Sequence, residues 1–85
     1  MPDYTAILSK KAQKQLDRLS DNIAEPILQA ITALEHNPRP QGYKKLNGRD
    51  GYRVRVGDYR IIYDIFDNQL VIEIITLGNR KDIYR

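Results

Sequence analysis

The sequence predicts an α+β domain of order β-α-α-β-β-β, with a helical hairpin packed on one face of a small, mainly antiparallel four-stranded sheet. Three observations lead there. Helical periodicity is confined to residues 10–37, alternation of apolar and polar residues takes over from Tyr52, and the turn signals Gly57-Asp58 and Asp67-Asn68 cut the second half into three strands. With 85 residues, the chain is expected to form one domain, residues 1–85, because a domain averages ~150 residues.

The elements follow in order. Tyr4, Ala6 and Leu8 alternate with Thr5 and Ile7 as a short first strand. Ser9 is placed to cap a helix in which Ala12, Leu16 and Leu19 recur one turn apart, a narrow apolar stripe beside a Lys/Gln face. Asn22 with Glu25 fits a capping box for a second helix, whose apolar set Ile23, Ile27, Leu28, Ile31 and Leu34 is broader. Pro38 disfavours helical geometry at Asn37, so the helix should end there, and Pro26 near the fourth helical position predicts a late start or slight kink. Pro38-Arg39-Pro40-Gln41-Gly42 reads as a stiff connector. Beyond the turn-rich residues 47–51, Tyr52 to Val56 is a strand, Gly57-Asp58 a two-residue hairpin loop and Tyr59 to Phe66 the returning strand. Residues 69–77 form the last strand, and their apolar run places it inside the sheet.

Composition excludes several classes of chemistry. Cysteine is absent, which removes disulfides, thiolate nucleophiles and thiolate metal ligands, and His36 as the single histidine excludes a two-histidine site. No metal or cofactor is expected. No apolar run approaches the ~20 residues of a membrane span, and a cytoplasmic location with no membrane contact is expected. Charge is unevenly spread. Residues 1–40 hold five basic and five acidic side chains, residues 41–60 six basic (Lys44, Lys45, Arg49, Arg53, Arg55, Arg60) against two acidic, or +4, and the remainder −1, which sums to the net +3. A local cationic excess of this kind is a footprint for polyanions.

Strand pairing sharpens that inference. With Gly57-Asp58 as the loop, Val56 faces Tyr59 and Arg55 stands opposite Arg60. Tyr52, Val54, Tyr59, Ile61, Tyr63 and Ile65 then share one face and bury against the helices, while Arg53, Arg55 and Arg60 share the other. Like charges opposed on paired strands cost up to ~1 kcal/mol unless an anion sits between them. Guanidiniums hold phosphate bidentately and keep their charge at any physiological pH. With Asp67-Asn68 as the second loop, Glu73 is expected opposite Ile62, and the apolar residues Ile62, Phe66, Val71 and Ile75 on the arginine face predict partial covering by another chain. Tyr52, Tyr59 and Tyr63 are expected to pack with their rings inward and their hydroxyls at the rim.

Three stretches carry a resemblance to a known family. Tyr43-Lys44-Lys45-Leu46, then residues 51–63 reading GYRVRVGDYRIIY, then Gly78-Asn79-Arg80-Lys81-Asp82-Ile83-Tyr84 resemble the RelE/ParE superfamily of bacterial toxins, nearer its RelE branch. The resemblance implies a RelE-like fold, which matches the element order above. It also implies a ribosome-dependent endoribonuclease that cuts messenger RNA in the ribosomal A site, with a cognate antitoxin, the ribosome and mRNA as partners. By the same resemblance Arg55, Arg60, Arg80 and Tyr84 fall at catalytic positions, and Arg53, Lys44, Lys45 and Lys81 contact RNA. Two other readings stay open on this fold: a ParE-type inhibitor of DNA gyrase that is not an enzyme, and an inert antitoxin-binding relic. The clustered arginines with Tyr84 are what a gyrase binder would not need.

Overall fold

In the computed structural model, which describes residues 3–79, the elements run β1 (Thr5–Leu8), α1 (Lys10–Asp17), α2 (Asp21–His36), β2 (Lys44–Lys45), β3 (Tyr52–Val56), β4 (Tyr59–Phe66) and β5 (Val71–Asn79). They form one sheet in the order β1-β5-β4-β3-β2, with β1 parallel to β5 and every other pair antiparallel. The sheet thus has five strands where four were expected. The fifth is the lysine pair, closed onto β3 by a Leu46 N–H bond to the Gly51 carbonyl at 3.0 Å. Gly51 sits at φ +120°, and a Cβ there would meet Leu46 Cδ1 at 3.2 Å, so the turn needs glycine.

Both helices lie on one face. Ala12 of α1 and Ile27, Ile31 and Leu34 of α2 join Val54, Ile61, Tyr63, Ile72, Ile74 and Leu77 in a single core. Ser9 caps α1 as its position implied, accepting the Ala12 N–H at 3.0 Å. α2 is capped two residues before the expected capping box: its cap is Ser20, whose carbonyl takes the Ile23 and Ala24 N–H groups, so Asn22 lies inside the helix. Pro26 is accommodated within α2, and Asn37 is extended ahead of Pro38. The buried stripe of α2 is narrower than its apolar content, because Ile23 and Leu28 are exposed.

The β1 margin of the sheet is closed by α2. Along β1, Tyr4 N–H donates to the Glu35 carbonyl at 3.0 Å and Ala6 N–H to the Glu35 carboxylate at 2.7 Å. Tyr43, Tyr52 and Tyr63 step through the core side with ring centroids 5.8 and 5.9 Å apart. The Tyr63 hydroxyl is not at the rim but buried, donating to the Pro38 carbonyl at 2.7 Å, and burial raises its pKa.

The last hairpin departs from the expected register. Residues 67–70 all belong to the turn, with Leu70 at φ +55°, so β5 starts at Val71 opposite Phe66. Glu73 consequently pairs with Asp64 rather than Ile62. A bulge between the Tyr63–Ile74 and Ile62–Thr76 pairs leaves Ile75 as the extra residue.

Candidate active site

The open face of the sheet reads as four cross-strand rows. Thr5, Val71 and Phe66 form the first, and Ile7, Glu73 and Asp64 the second. Past the bulge come Thr76, Ile62, Arg53 and Lys44, and finally Gly78, Arg60 and Arg55. Charge therefore changes along the strands, from an apolar and acidic half to a cationic half. The tight Gly57-Asp58 loop sets this by the register expected for it, with Val56 across from Tyr59 and Arg55 across from Arg60.

The expected arginines do share one face, but their environments differ. Arg55 is exposed, Arg53 is half-buried, and Arg60 is only 4% exposed. A buried guanidinium stays charged, and its field acts through less water than that of a surface arginine. Gly78, across from Arg60, has an unremarkable φ, and among the described residues no atom lies within 4 Å of where its Cβ would stand. Beside this row, a hollow of about 600 Å³ is walled by Lys44, Lys45, Arg49 and Arg53, with Leu46, Asn47, Ile62 and Thr76 completing its lining. Lys44 shares the arginine face, whereas Lys45 pairs with Tyr52 on the core side and borders the hollow from there. Cations around an apolar floor suit a nucleotide, whose phosphate needs charge and whose base needs a flat apolar surface.

Sequence reasoning missed Arg49, Ile62 and Thr76 as lining residues, and the +4 segment was the signal for the first. Ile62 was expected to need covering by another chain; it is already 4% exposed within this one, whereas Phe66 is 40% exposed. Arg80, Lys81 and Tyr84 lie outside the described residues.

Comparison with known proteins agrees with this architecture. A family model for the ParE toxin of type II toxin-antitoxin systems matches residues 6–84. The chain belongs to this RelE/ParE toxin family. Toxin RelE of Mycobacterium tuberculosis is 32% identical over 84 residues, which is 96% of this chain and 87% of the relative. The mRNA interferase toxin RelE of Escherichia coli is 22% identical over 80 residues, 92% of this chain and 84% of that one. Among solved structures, the archaeal RelE-RelB complex from Pyrococcus horikoshii superposes with a TM-score of 0.82 at 32% identity, covering 94% of this chain and 98% of its counterpart. The α+β class and the RelE resemblance drawn from residues 43–84 both hold.

Proposed function

We propose that this RelE/ParE family member is the toxin of a RelBE-type pair and cuts messenger RNA in the ribosomal A site, held inactive by a cognate antitoxin. The observation that carries this reading is the row in which Arg55 and Arg60 face each other beside Arg53, on a rigid two-stranded hairpin. In the cleavage, the 2′-oxygen forms a bond to phosphorus as the bond from phosphorus to the 5′-oxygen breaks. The 2′-hydroxyl gives up its proton, and the departing 5′-oxygen gains one. Arg60 and Arg80 clamp the scissile phosphate and offset the charge that builds on the phosphorane. Arg53 and Arg55 hold the backbone and the leaving group, Tyr84 orients the 2′-hydroxyl, and Lys44, Lys45 and Lys81 hold flanking RNA.

At 4% exposure Arg60 meets a phosphate only after RNA displaces the groups that cover it. The free chain is therefore slow on naked RNA and depends on the ribosome to align the substrate, a source of ~7–11 kcal/mol in well-oriented reactions. Expression in bacteria, with primer extension of the resulting RNA ends, tests the proposal. Growth arrest with messages cut inside reading frames is expected. Arg60→Ala or Arg80→Ala should lower cleavage about 10²–10³-fold, the usual consequence of removing one charge-stabilising donor, and Tyr84→Phe should slow it without weakening ribosome binding. DNA damage with intact messages would overturn the proposal in favour of gyrase inhibition; an absence of toxicity would leave only an inert relic.

A further inference from the structure

The bulge in β5 is held from outside the sheet. β1 stops at Leu8, paired with Ile74, so beyond that point no strand among the described residues lies beside the outer margin of β5. α1 takes over. Ser9 Oγ donates to the Ile75 carbonyl at 2.7 Å. The side-chain carbonyl of Gln15 accepts both the Leu77 N–H at 2.8 Å and the Thr76 hydroxyl at 3.0 Å. Three consecutive residues of the bulged segment are thus fastened by two side chains, one from the cap of α1 and one from the helix itself.

The fastening matters because side chains on a strand alternate with period two. Loss of the extra residue at Ile75 would send every later residue to the opposite face, moving Leu77 out of the core and Gly78 away from Arg60. Burial of Leu77 at 1% exposure opposes so large a slip. It does not set the tilt of the strand end, which a polar bond at the margin can. Gln15 is half-buried, so water can replace it as acceptor for both donors at little cost in stability. Water cannot hold the segment in place.

We propose that Gln15 is a positioning residue for RNA cleavage: through Leu77 and Thr76 it holds the end of β5 so that Gly78 faces Arg60 and Thr76 borders the basic hollow. This rests on the endoribonuclease reading above. The test uses ribosomes programmed with a defined message, the full chain, and the variants Gln15→Leu and Gln15→Glu. Gln15→Leu should lower the saturated single-turnover rate about tenfold or more, since displacements of ~1 Å can cost that much. Its half-saturating concentration should stay within about twofold, the signature of an effect on the chemical step alone. Amide exchange at Leu77 should quicken in the same variant. Gln15→Glu keeps an acceptor for both donors, so rate and Leu77 protection should return to near wild type.

A wild-type rate in Gln15→Leu, or a Gln15→Glu variant that protects Leu77 yet cleaves as slowly as Gln15→Leu, overturns the proposal. Should Gln15→Leu not fold, Gln15→Ala, with the best helix former in its place, carries the same measurements; failure of both to fold makes Gln15 a requirement of the fold and overturns the positioning role. An intact message with the wild-type chain overturns the endoribonuclease reading and with it any role in cleavage. Leu77 exchange in the variants then still reports whether Gln15 holds the strand.

Discussion

The two ends of β4 use arginine in opposite ways. Just past Phe66, Arg39 of the connector grips Asp67 through its two terminal guanidinium nitrogens at 3.0 and 3.4 Å, and the Tyr4 hydroxyl donates to the same carboxylate at 2.6 Å. At the other end Arg60 has a second arginine, Arg55, across the strand pair. The first arrangement ties together the chain start, the connector and the β4–β5 turn. The second places like charges directly opposite each other on paired strands. One end serves the fold, and the other, on the function proposed above, receives an anion from outside.

Tyr63→Phe should give the largest change in stability, about 1–3 kcal/mol, because it strands the buried Pro38 carbonyl without its donor; urea unfolding measures it, and cleavage should survive. Arg55→Ala should do the reverse. Relief of the cross-strand repulsion leaves stability unchanged or raises it by up to ~1 kcal/mol, while cleavage falls; a loss of stability would mean that the two arginines support each other through a partner inside the fold.

The smallest effect belongs to the Arg39 end. Asp67 is held below its ordinary pKa first by the hydrogen bond from Arg39 and then by that from Tyr4. A lowered folded-state pKa makes its contribution complete above the unfolded value of ~4, and lost as pH falls through the folded one. The pair is 41% and 53% exposed, so the contribution is small. Asp67→Asn should flatten the acid limb of a thermal-melt profile below pH ~4 and leave cleavage unaltered at neutral pH. An equally steep acid limb in that variant would assign the pH dependence elsewhere.

What could be read in advance depended on whether a residue's neighbours were local. Gly57-Asp58 determines the pairing of the strands it joins, so the Arg55–Arg60 row was legible without coordinates. The turn at residues 67–70 was not, because Leu70 adopts a left-handed φ that side chains with a Cβ seldom take. That error moved Glu73 two positions along β4. The bulge left a trace in the spacing of the core residues Ile72, Ile74 and Leu77, two and then three apart, but the apolar Ile75 between them masks it. β2 was invisible, since two lysines have no alternation to read and their pairing depends on Gly51. Arginine composition revealed the basic half of the face, whereas the burial of Arg60 depends on tertiary packing that no local pattern encodes.

Glu35 has a consequence reaching beyond the single molecule. By taking the Tyr4 and Ala6 amides with its main-chain and side-chain oxygens, it occupies hydrogen-bonding positions that a strand from another copy would need to dock against β1. At the far margin the outermost strand, β2, is only two lysines long, and their like charges oppose pairing with a second copy. Both outermost strands of the described sheet thus carry features that oppose edge-to-edge stacking of crowded copies.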